Sequence, residues 1–171
     1  MMEHSSSWQK YFMTMAYLVA TKSKDPSTKV GAVIVGPDLE IRSTGYNGLP
    51  RGMKDIDSRY QRPLKYEIEN HAEENAILNC CLMGVSTKNC TLYVPWIACS
   101  LCAKLIVQSG IIRVVYHKEW PGNIPSDNKW TKSIALTKEM FLETAIELVE
   151  YSGGLIGIKG YYNEQIFEVE T

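Results

Sequence analysis

The fold is decided by a stretch that begins with His71-Ala72-Glu73-Glu74, continues through Thr91-Leu92-Tyr93-Val94 and ends with Cys99-Ser100-Leu101-Cys102. One histidine and two cysteines supply three zinc ligands and leave a fourth position for water, which is the pattern of a catalytic zinc. Cys99 and Cys102 are three positions apart, so a first helical turn would place both sulfur atoms on one face. The N-terminus of that helix also favours thiolate over thiol. The sequence therefore predicts a zinc site built from His71, Cys99 and Cys102.

Glu73 is the candidate proton carrier of this site. Two thiolates cancel the formal charge of Zn²⁺, so the metal should acidify its water less than an all-histidine site, where the water pKa falls to about 7. A carboxylate beside the water is then needed as a general base, a role typically worth about 10²–10⁴ in rate. Residues two apart on a regular helix point away from each other, so His71 and Glu73 can share one site only if the helix starts near Ala72.

The two cysteines alone leave alternatives open, because a Cys-x-x-Cys pair also fits a redox pair or a structural zinc half-site. An upstream His-x-Glu that opens a helix favours the catalytic interpretation. Together the segments match the H-x-E…P-C-x-x-C signature of zinc nucleobase deaminases, except that Ala98 stands where the signature has proline.

Composition limits the class of protein. The 171 residues are enough for one domain with a real core, and we expect a single catalytic domain over residues 1–171. A net charge of −1 gives no basic footprint for nucleic acid. The five cysteines do not form an even disulfide set, which favours a reducing, cytoplasmic compartment. No run approaches about 18 apolar residues, so no membrane span is expected.

Apolar spacing and turn residues predict an alternating α/β order. The predicted helices are Ser5 to about Thr21, Ala72 to Met83, Ser100 to Ser109 and Thr131 to Glu150; the predicted strands are Val30 to Val35, Glu40 to Gly45, Thr91 to Val94, Ile111 to Tyr116 and Leu155 to Ile158, with a short added segment at Ile166 to Val169. The first two strands should form a hairpin, and the strand–helix–strand order from Thr91 to Tyr116 implies a parallel pair. We expect an α/β fold, a three-layer α/β/α sandwich with a mixed five-stranded sheet.

The segment from Met53 to Asn70 is polar and irregular. It carries four basic side chains, Lys54, Arg59, Arg62 and Lys65. A solvated loop and a flap over the active site are both open interpretations.

The chain resembles the cytidine and deoxycytidylate deaminase family, and within it the branch that acts on deoxycytidylate (dCMP). The resemblance covers most of residues 8–118, and its specific parts are Ser23-Lys24-Asp25-Pro26, Val30-Gly31-Ala32-Val33-Ile34-Val35, Gly45-Tyr46-Asn47-Gly48, the motif from His71 to Leu78, and Cys99 to Gln108 with Gly110. It implies a cytidine-deaminase-like fold and zinc-dependent hydrolysis of dCMP to dUMP and ammonia, which supplies dUMP for thymidylate synthesis.

The resemblance also implies roles for individual residues. His71, Cys99 and Cys102 would hold one zinc ion, and Glu73 would protonate N3 of the pyrimidine and then the departing ammonia. The implied substrate contacts are Asn47 to the sugar, the backbone N–H of Ala72 to the base, Ser23 and Lys24 to the phosphate, and Trp120 at a position where relatives often carry a phosphate-binding tyrosine.

Regulation and assembly are likewise implied only by resemblance. Family members are often hexamers that dCTP activates and dTTP inhibits, with Mg²⁺ accompanying the triphosphate. The loop that contains Tyr46, Gly48, Arg51 and Gly52 resembles part of that effector site.

Other functions stay open at this point. Another cytosine nucleotide or nucleoside, namely CMP, dCTP or deoxycytidine, fits the same chemistry. A tRNA adenosine deaminase uses it too, but would need a basic surface, and the isoelectric point is about 6.3. A non-catalytic zinc-binding module would not need Glu73 or an open zinc position.

Overall fold

A mixed five-stranded sheet lies at the centre of the computed structural model, which describes residues 5–123, 130–157, 159–162 and 165–168. Its strands are β1 (Gly31–Val35), β2 (Ile41–Tyr46), β3 (Thr91–Val94), β4 (Arg113–His117) and β5 (Glu147–Tyr151), in the order β2-β1-β3-β4-β5. β1 is antiparallel to both β2 and β3, and the pairs β3–β4 and β4–β5 are parallel. The predicted hairpin and the predicted parallel pair are both confirmed.

Helices cover both faces of this sheet. They are α1 (Ser6–Ala20), α2 (Lys65–Ile68), α3 (Ala72–Met83), α4 (Ser100–Gln108) and α5 (Thr131–Glu143). Successive side chains of a strand point to opposite faces. Val33 and Val35 accordingly pack with Phe12 of α1, whereas Ala32 and Ile34 belong to the cluster formed with α3, α4 and α5. The three-layer α/β/α sandwich is confirmed.

Two glycines allow helices to pack directly against the backbone of the β1–β2 hairpin. A Cβ atom at Gly45 would lie 2.3 Å from the backbone nitrogen of Ala76 in α3, and one at Gly31 would lie 2.1 Å from the carbonyl oxygen of Ala16 in α1. Such distances exclude any side chain at either position without a shift of the backbone. Gly45 therefore fixes α3, and with it His71 at the start of α3, tightly against β2.

The C-terminal part differs from the prediction. α5 ends at Glu143 and not at Glu150, because Ala145 adopts a left-handed conformation (φ 55°) and turns the chain into β5. The apolar spacing of Leu142, Ala145, Ile146 and Val149 suggested a continuing helix. The predicted helix therefore extended over residues that form β5. Leu155 to Ile158 is not that strand: residues 155–157 have no regular structure, and Ile158 lies outside the described residues.

A small two-stranded sheet follows. Its antiparallel strands are β6 (Lys159–Tyr162) and β7 (Gln165–Glu168), and β7 accounts for the predicted segment at Ile166 to Val169, apart from Val169, which is not described.

The segment before His71 contains more regular structure than its composition suggested. A 3₁₀ turn spans Asp57–Tyr60, α2 follows, and the side chain of Lys65 in α2 is buried. None of the helices in the described ranges combines the length and the apolar character needed to cross a bilayer.

Candidate metal centre and catalytic cavity

Three ligand atoms converge where α3 and α4 begin. Nδ1 of His71 lies 3.4 Å from Sγ of Cys99 and 3.4 Å from Sγ of Cys102, and the three atoms all lie within 4.8 Å of one another. His71 and Cys99 are the extended residues that immediately precede the two helices, while Cys102 lies in the first turn of α4. α3 starts at Ala72, which is the helix start that allows His71 and Glu73 to belong to one site. The structure therefore brings the three predicted ligands together.

The electrostatics of this cluster favour an ionised thiolate. Hydrogen bonding with Cys102 and His71 lowers the pKa of Cys99 to about 4, against the opposing effect of burial. The hydrogen bond with Cys99 in turn raises the pKa of His71 to about 9. Sulfur and imidazole nitrogen donors gathered in so small a space are the preferred donor set of zinc. The residues present therefore fit a zinc ion.

Glu73 lies beside the cluster in the first turn of α3, and only 5% of its surface is exposed. Burial raises the pKa of its carboxyl group to about 7, and the nearby His71 acts in the opposite direction. A carboxyl group with that pKa can both accept and release a proton near neutral pH. The adjacent Glu74 does not line the cavity that Glu73 faces.

A cavity of about 550 Å³ adjoins the metal cluster. Its lining includes His71, Ala72, Glu73, Cys99 and Asn47. This volume is in the usual range for a small-molecule site. Ala72 and Asn47, both predicted to touch substrate, thus share one cavity with the carboxyl group of Glu73.

Tryptophan side chains form another wall of the cavity. Trp130, just before α5, has its ring centroid 6.3 Å from that of His71 and 5.5 Å from that of Trp96. Tyr66 of α2 lies 6.3 Å from Trp130 on the same lining. None of the three aromatic residues was predicted. Trp96 could have been suspected from its position just before Cys99, but nothing in the sequence signals that Trp130 folds back over the motif.

Asn47 is held rigidly. Its Oδ1 accepts a hydrogen bond from the backbone N–H of Val30 at 2.8 Å, and its Nδ2 donates to the carbonyl oxygen of Thr28 at 3.0 Å and to Glu69 at 2.8 Å. The amide orientation is therefore fixed by three partners. Glu69 lines the same cavity, two residues before His71, and sequence reasoning missed it.

A buried ion pair supports this wall. Lys65 contacts the carboxylate of Asp25, donates to Ser27 Oγ at 2.8 Å and lies 3.8 Å from Glu69. Asp25 belongs to the Ser-Lys-Asp-Pro element, and Lys65 was counted only among the basic residues of an irregular segment. No local pattern in the sequence joins them.

Three of the predicted substrate contacts do not line the cavity. Ser23 is buried and donates to the carbonyl oxygen of Asn47 at 2.8 Å, while its Oγ accepts from the N–H of Asp25 at 3.2 Å. Lys24 is exposed and forms an ion pair with Asp55. Trp120 packs beside Tyr17, with ring centroids 5.8 Å apart. Their substrate roles stay predictions.

The predicted effector loop lies at the end of β2. Tyr46 is exposed, and Gly48 exchanges backbone hydrogen bonds with Asn70 at 3.1 and 2.9 Å. Arg51 donates to Asn79 and lines a separate surface pocket of about 380 Å³, and Gly52 has a φ of 85°. These contacts define the shape of the loop, and its effector role stays a prediction.

Comparison with protein families gives a match over residues 6–118 to the cytidine and deoxycytidylate deaminase zinc-binding region. A deoxycytidylate deaminase of Mus musculus is 43% identical over 115 residues, and that of Homo sapiens is 42% identical over 115 residues. The chain spans 64% of the length of these two relatives, and the aligned part is 64% of the chain. A protein of Aliivibrio fischeri described as an uncharacterized deaminase in the luxG 3′ region is 39% identical over 143 residues, which cover 84% of this chain and 92% of that protein.

Among solved structures, a dCMP deaminase from the cyanophage S-TIM5, in complex with dCMP and dUMP, superposes with a TM-score of 0.68. The match covers 87% of this chain and 100% of the phage chain at 22% sequence identity. At that identity the superposition supports the fold.

Proposed function

Because the chain belongs to the cytidine and deoxycytidylate deaminase family, we propose that it is a zinc-dependent hydrolase that converts dCMP to dUMP and ammonia, and so supplies dUMP for thymidylate synthesis. The observation that carries this proposal is the convergence of His71, Cys99 and Cys102 beside a buried Glu73 on one cavity. The name of the mammalian relatives, deoxycytidylate deaminase, supports dCMP over other cytosine compounds as the proposed substrate of this chain. We place the activity in one catalytic domain over residues 1–171.

His71, Cys99 and Cys102 would hold the zinc ion, which supplies Lewis acidity and makes a water molecule nucleophilic at neutral pH. Glu73 takes a proton from the attacking water and delivers it to N3 of the pyrimidine. The same carboxylate takes the second proton of that water and delivers it to the departing amino group, so one water is consumed and one ammonia is released. The burial that raises the pKa of Glu73 to about 7 suits a group that is protonated and deprotonated in each turnover.

The remaining walls orient the substrate. The backbone N–H of Ala72 is assigned to the base, and the rings of Trp96 and Trp130 in the cavity lining offer apolar surface for it. Asn47, fixed by Val30, Thr28 and Glu69, is assigned to the sugar. Ser23, Lys24 and Trp120 are the phosphate contacts that the family resemblance implies.

The proposal also includes regulation by nucleotides and assembly into an oligomer. We propose a cytoplasmic homo-oligomer, a hexamer, that dCTP with Mg²⁺ activates and dTTP inhibits through the loop of Tyr46, Gly48, Arg51 and Gly52. The support is the resemblance of the loop from Tyr46 to Gly52 to part of the effector site of the family.

An ammonia-release assay on the purified protein tests the activity. The substrates are dCMP, CMP, dCTP and deoxycytidine, each with and without dCTP as effector, and the metal content is measured on the same preparation. We expect dCMP to have the highest kcat/KM. Equal turnover of dCMP and deoxycytidine would point to a nucleoside deaminase, and absence of turnover with zinc bound would overturn the proposed function.

A further inference from the structure

The cavity is lined by two cationic side chains that differ in what surrounds them. Lys65 is buried against the carboxylates of Asp25 and Glu69, which offset its charge. Arg62 is exposed at the same lining, three positions earlier in the chain, and its guanidinium lies 5.9 Å from the ring centroid of Tyr66. Within the described part of the chain Arg62 makes no ion pair with a carboxylate, so no carboxylate offsets its positive charge at the cavity.

The charge of the inner wall works against an anion there. Burial acts to raise the pKa of Asp25, but hydrogen bonds from Lys65 and Ser27 outweigh it and hold the pKa below its usual range. Asp25 is therefore ionised at neutral pH. Glu69 accepts a hydrogen bond from Asn47 beside it. Carboxylates can accept hydrogen bonds from sugar hydroxyl groups. A phosphate placed against the same carboxylates meets like charge.

The other cation considered for phosphate, Lys24, is directed elsewhere. It is bound to Asp55 and does not line the cavity. Asp55 also accepts a hydrogen bond from Tyr60 at 2.7 Å. Lys24 is thus paired with a carboxylate that lies in the segment before α2.

We propose that Arg62 binds the 5′-phosphate of the substrate and thereby makes the enzyme prefer a nucleotide to a nucleoside. This inference rests on the proposed deamination of dCMP. The planar guanidinium can make two parallel hydrogen bonds to a phosphate, and its cation–π contact with Tyr66 favours a position at the cavity. The segment from Met53 to Asn70 is then a specificity element of the active site and not a solvated loop.

The test compares dCMP with deoxycytidine in wild type and in Arg62→Ala. We expect Arg62→Ala to lower kcat/KM for dCMP by about 10- to 150-fold, mostly through KM, as loss of one charge-assisted hydrogen-bonded pair does. The change for deoxycytidine should be far smaller. Arg62→Lys should recover part of the loss, since it keeps the charge but not the paired hydrogen bonds. Calorimetric binding of both ligands in a Glu73→Gln background, where turnover is slow, provides a readout that does not depend on kcat.

Lys54→Ala is the matched control, because it removes one exposed cation from the same segment without touching the cavity. We expect it to leave both substrates near their wild-type values. Equal losses for dCMP and deoxycytidine in Arg62→Ala would show a structural role and overturn the inference. A loss confined to Lys24→Ala would assign the phosphate to Lys24 instead. If wild type neither binds nor converts dCMP, the proposed function fails first; if wild type prefers dCMP and Arg62→Ala keeps that preference, the inference on Arg62 alone fails.

Discussion

The ammonium group of Lys65 contacts the carboxylate of Asp25 in the interior of the protein, where the two side chains are 6% and 1% exposed. The partners are 40 positions apart in the sequence, and the pair ties α2 to the loop before β1. Removal of water from both charges is expensive, so such a pair is tolerated only when both partners are present. The contact therefore makes the wall of the active site sensitive to the loss of either residue.

Removal of one partner should be strongly destabilising. We expect Lys65→Met to lower the free energy of unfolding by about 3–5 kcal/mol, because it leaves the carboxylate of Asp25 buried without its cation. The double variant Lys65→Met with Asp25→Leu should be more stable than the single one. Urea denaturation of wild type and the variants gives these values. Lys54→Met is the control at an exposed position and should stay within about 0.5 kcal/mol of wild type; a similarly small effect of Lys65→Met would contradict the buried pair.

Loss of a predicted ligand should remove the metal. His71→Ala or Cys99→Ala leaves two of the three converging ligand atoms, so we expect purified variants to contain little zinc and to have no deaminase activity. Elemental analysis and the ammonia assay measure the two effects. Cys81→Ala, which removes an exposed cysteine outside the cluster, should retain one zinc per chain. A Cys99→Ala variant that keeps full zinc and activity would exclude the assigned metal site.

Substitution of the buried carboxylate should separate binding from turnover. We expect Glu73→Gln to keep zinc and to bind dCMP but to lose about 10²–10⁴ in kcat, because glutamine cannot carry a proton. Steady-state kinetics with metal analysis is the measurement. Glu74→Gln is the matched control, since that neighbouring side chain lies off the cavity. Equal losses in both variants would mean that the proton carrier has been misassigned.

The contact between β2 and α3 should not tolerate a methyl group. In Gly45→Ala the new Cβ would lie 2.3 Å from the nitrogen of Ala76 and 2.4 Å from the carbonyl oxygen of Ala72, so α3 must move. We expect a loss of about 1–3 kcal/mol in stability, together with weaker zinc binding, because His71 precedes this helix. Gly154→Ala has open space around the new atom and should be nearly neutral. Thermal unfolding and zinc titration of both variants decide the matter, and equal behaviour of the two would argue against the close approach.

Local patterns were sufficient for the sheet around the motif and for the metal cluster. The β-branched run from Val30 to Val35, the turn after it and the His-x-Glu and Cys-x-x-Cys spacings all act over a few residues, so their structural meaning can be read along the chain. The predicted helix from Ser100 to Ser109 is followed by Gly110, which takes a positive φ of 77°, a conformation that glycine adopts readily at a helix end.

Features that depend on distant partners could not be predicted in this way. The end of α5 requires a left-handed alanine, a conformation that favours glycine, and it is stabilised by the pairing of β5 with β4, including the ion pair of Arg113 with Glu147 at 2.7 Å. The burial of Ser23 against Asn47 likewise involves residues 24 positions apart. Propensity and spacing carry no information on either contact.

The family match ends at residue 118, yet Trp130 packs against His71 and Ile134 lines the cavity. A chain cut after residue 118 would keep every residue of the metal cluster but lose Trp130 and Ile134 from the cavity lining. Part of the cavity's shape is thus encoded outside the segment that carries the metal cluster. Exchange of the segment after β4 between relatives is therefore a route to an altered cavity that leaves the residues of the metal cluster in place, and chimaeric proteins joined near residue 118 are the natural starting point for engineering it.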